Sequence, residues 1–258
     1  TKGIGRAIAE TLAKEGASVA FCARNASEVT EAAKAMSATG SKVIGSVADV
    51  GNADSLKAWV AKSAADLGGI DIVVANVSAL ALSPDEESWK KGFEVDLMGS
   101  VRLVDSAMPF LEKSKHPAIV TISSVSGREI DFASGPYGAF KAALVHYTQG
   151  LAYHLAGKGI RANSVSPGNT YFPGGVWSQI ESGNPDFFKV ALGMNPTGRM
   201  GTPQEMANAV VFLASPVASS SPAAMTPAVR ACTAMLSASN CAASVSAALV
   251  RRPMLIVP

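Results

Sequence analysis

Between Ala118 and Ile122 the chain reads AIVTI, five apolar or β-branched residues in a row, and the run stops at Ser123-Ser124. A run that short, with no alternating polar positions, suits a strand buried on both faces, the kind found in parallel sheets covered by helices. Runs of the same kind return at Ala17–Ala23, Val43–Val47, Ile70–Ala75 and Gly159–Ser166. Stretches of helical periodicity separate them, at Arg6–Lys14, Ala26–Thr39, Asn52–Leu67, Glu86–Lys113, Tyr137–Ala156 and from Pro203 to Ala214, the fourth interrupted around Asp96–Gly99. Strand and helix in alternation predict an α/β fold, a doubly wound parallel sheet in one domain. Ser124 falls at the carboxyl end of its strand, the edge of such a sheet where ligands bind.

Tyr137 and Lys141 are four residues apart in the next helical stretch and so share a face. A phenol has an ordinary pKa of about 10, and an ammonium beside it favours the phenolate and brings it toward working pH. A serine hydroxyl aimed at the same point could hydrogen-bond a substrate oxygen while the tyrosine passes a proton to or from it.

Ser124, Ser126-Gly127, Tyr137 and Lys141, with thirteen positions from Ser124 to Tyr137, resemble the active-site segment of the classical short-chain dehydrogenase/reductase family, and of its 3-oxoacyl-carrier-protein reductase-like members in particular. The resemblance runs from about Thr1 to Ser219 and implies a Rossmann-type sheet. It also implies hydride transfer between a nicotinamide and a carbonyl or secondary alcohol, such as a 3-oxoacyl thioester or similar ketone. Tyr137 is then the general acid/base, Lys141 lowers its pKa and holds the nicotinamide ribose, and Ser124 orients the substrate oxygen. The family's fourth catalytic residue, an asparagine, falls on Asp96, which is a catalytic candidate or a helix-kink position. Two further departures are Ser78, where the family has a glycine, and Phe172, where it has a threonine. They leave a second reading open, a nucleotide-binding sensor or scaffold without turnover.

The opening residues Thr1-Lys2-Gly3-Ile4-Gly5 run into a helix, a spacing that lets a pyrophosphate approach backbone N–H groups at a helix start. They match the second half of the family's glycine loop, so the first glycine and the first strand are expected to be missing, as in a fragment. Arg24 stands after the second strand, where an acidic residue would bind ribose hydroxyls and an arginine accommodates a 2′-phosphate. With Lys2 it gives a preference for NADP(H) over NAD(H). The resemblance adds Asp49 and Val50 at the adenine, Asn76 after the fourth strand, and the Pro167-Gly168 loop with Thr170 at the carboxamide. From Tyr171 to Met200 the aromatic residues lie among Gly and Pro without clear periodicity, which reads as a substrate lid, a docking surface or local core packing. Thr202, Pro203 and Glu205 form a capping-box helix start.

Composition removes other classes. A net charge of +2 with 16% charged residues points to neither nucleic acid nor an anionic membrane, and no apolar stretch is long enough to span a bilayer. Cys22, Cys232 and Cys241 lack a disulfide or zinc pattern, His116, His146 and His154 lack metal-ligand spacing, and a reducing cytoplasm is the default. No metal is expected. No G-x-S-x-G elbow supports a serine hydrolase. The partner expected is a small carbonyl or alcohol. The resemblance implies a homodimer or homotetramer through the helices at Gly99–Lys113 and Tyr137–Ala156.

After Ser219 the chain becomes rich in Ala, Ser and Pro, and the family's T-G turn, last strand and D-G-G motif do not follow. The expectation is a catalytic domain over residues 1–219 and an atypical, disordered or frameshifted segment over 220–258, the change falling near Ser219–Ser221. No strand is expected there, and a helix over Thr226–Val250 is conceivable from its alanines.

Overall fold

The structure, a computed structural model, describes residues 1–219 and 252–257. Five of the short apolar runs form strands, β1 (Ser18–Ala23), β2 (Val43–Val47), β3 (Ile72–Ala75), β4 (Ala118–Ile122) and β5 (Arg161–Val165). The periodic stretches form α1 (Gly3–Lys14), α2 (Ala26–Ser37), α3 (Ala53–Leu67), α4 (Glu86–Gly92), α5 (Gly99–Leu111), α6 (Pro136–Leu155) and α9 (Pro203–Ala214). Side-chain caps account for several starts. Asn25 accepts from the N–H groups of Ser27 and Glu28, Asn52 from that of Ser55, and Thr202 and Glu205 complete the capping box of α9.

Two expectations are corrected. The segment from Tyr171 to Met200 contains two helices, α7 (Val176–Gly183) and α8 (Pro185–Gly193), the second begun by the cap of Asn184 and by Pro185 in its first turn. And a strand does exist beyond Ser219. Residues Pro253–Val257 form β6, which lies in the middle of the sheet. The strand order is β2-β1-β6-β3-β4-β5, every pairing parallel. Leu255 is in register with Ala20 on one side and Val73 on the other, and Ile256 with Phe21 and Val74. The position between β1 and β3 is therefore taken by Pro253–Val257, and among the described strands β2 and β5 lie at the sheet's edges. The residues of a helix over Thr226–Val250 lie outside the described ones.

Successive strand residues face opposite ways and feed two cores. On one face Val19, Phe21, Val74, Val120 and Ile256 pack with α1, α2 and α9; on the other Ala20, Val73, Ile119 and Leu255 pack with α3, α5 and α6. The interruption expected near Asp96 is a π-helical turn, Phe93–Met98, between α4 and α5. Turns of that kind are inserted at functional positions more often than elsewhere. Among the described residues no helix is long and apolar enough to cross a membrane.

Candidate active site

β4 ends at Ile122 and delivers Ser123 and Ser124 to the carboxyl edge of the sheet, where Ser124 caps a short 3₁₀ turn, Val125–Gly127. That turn lies directly on α6. A Cβ on Gly127 would stand 2.6 Å from the Lys141 carbonyl carbon, and one on Gly138 would stand 2.9 Å from the Ser126 oxygen, so both positions need glycine for backbone approach. Ser123 Oγ donates to the Lys141 carbonyl at 2.7 Å and fastens the strand end to the helix. Tyr137, in the first turn of α6, and Lys141, one turn on, then face Ser124.

Lys141 is 2% exposed and its Nζ is fully engaged: it donates to Val77 O at 2.8 Å and Ile122 O at 3.1 Å and pairs with Asp96 Oδ1 at 3.4 Å. Burial holds the Lys141 ammonium below its ordinary pKa, and the Asp96 charge opposes that. Asp96, 1% exposed, accepts the Ala79 N–H on Oδ2 at 2.8 Å, while Oδ1 has no closer partner than the ammonium. The π turn thus aims a carboxylate at the buried lysine, and the β3 loop supplies the groups that fix both ends of the pair.

Lys141 Nζ lies 5.7 Å from the centre of the Tyr137 ring. The pKa of the Tyr137 phenol lies above the ordinary value, first because of burial; the Ser124 hydroxyl opposes this, and the charges of Asp96 and Asp131 add to it. The expected lowering by Lys141 is therefore corrected for this structure, in which two carbonyls and Asp96 hold the ammonium.

The nucleotide candidates fall in two groups. Lys2, Arg24, Asp49 and Val50 line one cleft of about 370 Å³ beside the start of α1, together with Glu28 and Ser78. Glu28 was not foreseen. It accepts from Lys2 Nζ at 2.8 Å and Thr1 Oγ1 at 2.9 Å, and the Lys2 bond holds its carboxyl below the usual range. Asp49 closes a turn, its Oδ1 accepting the Gly51 N–H. Gly3, Ile4 and Gly5 begin α1, and Lys2 before them makes no side-chain cap, so the helix start presents free N–H groups. Gly3 has φ of +53°, and a Cβ there would stand 2.5 Å from the Phe172 ring. Two of these features, a cleft lined by both cations and an uncapped helix start, fit a dinucleotide.

The second group lies at the ends of β3 and β5. Asn76 donates its N–H to Val257 O, Pro167 O accepts the Val125 N–H at 2.9 Å, and Thr170, 9% exposed, donates from Oγ1 to Gly168 O. Pro167 thereby ties the loop after β5 to the Ser124 turn. Phe172 packs against both Gly3 and Gly175 and joins this loop to the glycine segment. Beyond it, α7 and α8 enclose a small core of Trp177, Ala191 and Met200. Phe132, which the sequence reading passed over, reaches that core from the loop before Tyr137, 5.5 Å from Trp177 and 5.4 Å from Phe187 between ring centres.

Comparison with known proteins bears on the family and the fold. A family model described as enoyl-(acyl carrier protein) reductase matches residues 1–225. Isoepoxydon dehydrogenase patN of Penicillium expansum is 40% identical over 225 residues, covering 85% of this chain and 86% of that protein. The 3-oxoacyl-[acyl-carrier-protein] reductase FabG of Escherichia coli (strain K12) is 34% identical over 221 residues, covering 83% and 86%. Among solved structures, L-sorbose reductase from Gluconobacter frateurii, complexed with NADPH and L-sorbose, superposes with a TM-score of 0.76 at 29% identity, covering 84% of this chain and 88% of that one.

Proposed function

The chain belongs to the short-chain dehydrogenase/reductase family, oxidoreductases acting between CH–OH and C=O, and from that premise we propose that it interconverts a ketone and a secondary alcohol with NADP(H), rather than NAD(H), as its hydride partner. The observation that carries the reading is the joining of Ser124, Tyr137 and Lys141 at one sheet edge, Ser124 at the end of β4 and Lys141 buried one turn after Tyr137, 5.7 Å from its ring centre. The nicotinamide, when bound, supplies or accepts the hydride. Ser124 fixes the substrate oxygen, Tyr137 gives it a proton or takes one, and Lys141, the buried cation behind the phenol, would hold the nicotinamide ribose. Asp96 keeps Lys141 charged in a site whose burial works the other way.

Lys2, Gly3, Ile4, Gly5, Arg24, Asp49 and Val50 would hold the adenosine and phosphate end, and Asn76, Pro167, Gly168 and Thr170 the nicotinamide end. Arg24 and Lys2 support NADP(H), since either cation suits a 2′-phosphate. A cyclic ketone is the substrate favoured by the name of the isoepoxydon relative; a 3-oxoacyl thioester, after the FabG relative, is the competing substrate. Residues 1–219 together with the central strand Pro253–Val257 form the catalytic domain in this reading, and the protein works in the cytoplasm as a homodimer or homotetramer through α5 and α6. Exposed Tyr153 on α6 supports that packing.

A second reading, nucleotide binding without turnover, draws on the Asp96–Lys141 pair, which engages the lysine away from Tyr137. One experiment separates the two. NADPH and NADH are titrated by fluorescence, and NADPH oxidation is then followed with 2-cyclohexen-1-one and with an acetoacetyl thioester. Binding with ketone-dependent oxidation that Tyr137→Phe abolishes supports the oxidoreductase, and tighter binding of NADPH by about tenfold or more, about 1.4 kcal/mol, supports Arg24 as the phosphate partner. Binding with no oxidation of either ketone supports the sensor.

A further inference from the structure

Glu28, in the first turn of α2, reaches the Thr1-Lys2 segment before α1 with both oxygens of its carboxylate. Oε1 accepts from Lys2 Nζ at 2.8 Å and Oε2 from Thr1 Oγ1 at 2.9 Å. The contact belongs to the cleft of about 370 Å³ whose cations Lys2 and Arg24 suit a 2′-phosphate, and Glu28 lines that cleft with them. The two cations are not equivalent. Arg24 is exposed and forms no ion pair among the described residues, whereas the Lys2 ammonium is paired with Glu28. Asp49, a further carboxylate of the cleft, accepts the Gly51 N–H in its own turn.

A phosphate monoester carries about two negative charges near neutrality, and a carboxylate in the same cleft acts on it in two ways. It repels the phosphate directly, and it offsets the charge of the ammonium that would attract it. A ribose hydroxyl is a different partner, neutral and able to donate to a carboxylate. The same side chain therefore opposes a nucleotide that bears the phosphate and tolerates one that lacks it. Selectivity between two ligands is a difference of affinities, and a like charge set against one of them changes it as surely as a contact made to the other. The Lys2 and Glu28 side chains are 69% and 31% exposed, so salt screens both effects.

We propose that Glu28 is a cofactor-selecting residue, which weakens NADP(H) relative to NAD(H) by standing beside the 2′-phosphate and holding Lys2. The proposal rests on the nucleotide reading of this cleft given above. Lys2 and Arg24 set the direction of the preference, and Glu28 sets its size. Glu28 lies at the adenosine end in this reading, so it acts on binding and not on the hydride step.

The test compares the full chain with Glu28→Gln, Glu28→Ala, Lys2→Met and the double variant, titrated by fluorescence with NADPH and with NADH at low and at high KCl. Far-UV circular dichroism shows which variants are folded. The selecting role predicts that E28Q binds NADPH tighter by about fivefold or more while its NADH affinity changes less than about twofold, and that high salt brings the gain below about twofold. The gain is smaller in the K2M background, where one of the two effects is gone. Adenosine 2′,5′-bisphosphate, competing with NADPH, gains as NADPH does, and AMP does not. NADPH and NADH losing affinity together in E28Q marks Glu28 as a strut for the Thr1-Lys2 segment and overturns the proposal, as does a ratio of the two affinities that stays within about twofold of the unmodified chain. If E28Q does not fold, the same criteria fall on E28A. A preference for NADH in the unmodified chain, turned toward NADPH by E28Q, refutes the NADP(H) reading and supports the selecting role. No saturable binding of either nucleotide to the unmodified chain overturns the nucleotide reading, and the selecting role with it.

Discussion

Replacing Leu255 by alanine in β6 removes three carbons from a side chain with no exposed surface, set between Ala20 and Val73 in the core shared with α3, α5 and α6. At about 0.8 kcal/mol per buried CH₂ the transfer loss alone is about 2.4 kcal/mol, and the cavity left between two fixed strands brings the cost to about 3 kcal/mol. Ile256→Ala makes the same kind of hole on the opposite face, in the core shared with α1, α2 and α9, and costs a similar amount. The two side chains point away from each other across the sheet, so the double variant should lose about 6 kcal/mol, a large part of the roughly 5–15 kcal/mol that a domain commonly has. Urea unfolding followed by far-UV circular dichroism measures this. With a slope of about 3 kcal/mol per molar, each single substitution moves the midpoint by about 1 M at unchanged slope. Met194→Ala, at a side chain 73% exposed, serves as the control and should stay within about 0.5 kcal/mol. Losses under about 1 kcal/mol for both L255A and I256A would refute the placement of this strand in the middle of the sheet.

Asp96→Asn removes a negative charge that raises the Tyr137 pKa, so the pH at which alcohol oxidation rises should move to lower pH; kcat/KM measured against pH checks this, and a move upward would contradict the site electrostatics. Burial pushes the Cys22 thiol up to about 12. Iodoacetamide at about pH 8 should therefore leave Cys22 unmodified in the folded protein and label it in urea, as peptide mass mapping would show. The Arg199 guanidinium and the Thr202 cap hold the Glu205 carboxyl down to about 2, so its contribution is complete above the ordinary carboxylate pKa and is lost as pH falls from there through about 2. Glu205→Ala should cost about 1 kcal/mol at neutral pH, discounted for its exposure, and progressively less in acid, with urea midpoints at several pH values as the measurement.

How much was legible depended on how local the cause was. Ala118–Ile122 and Val43–Val47 form strands at those limits because short runs rich in β-branched residues need no distant partner to be recognised. The start of α9 was readable because Thr202, Pro203 and Glu205 satisfy one another within four residues. By contrast β6 is an ordinary apolar run whose partners, Ser18–Phe21 and Ile72–Ala75, lie far back in the sequence, and nothing in it names the slot it fills. In α7 and α8 the small core is aromatic on several sides, which blurred the helical period, although Asn184-Pro185 marked a helix start. At the site, the spacing of Ser124, Tyr137 and Lys141 carried the chemistry. The acceptors that hold Lys141, the carbonyls of Val77 and Ile122, are main-chain atoms and leave no trace in residue identity. Glu28 meets Lys2 only through the packing of α2 against the glycine segment, and Asp131 meets Ser126 only through the fold of their loop.

The position of β6 also governs the route by which the molecule is assembled. During synthesis this strand leaves the ribosome after both of the strands it separates, and Ser18 cannot find Pro253 until residue 253 has been made. Until then, among the described strands, the pair β1-β2 and the trio β3-β4-β5 are not joined, and each carries an inner edge able to accept a strand from another molecule. Contacts so distant along the chain slow the final closure, which gives the nascent protein a long interval of dependence on chaperones and on low concentration.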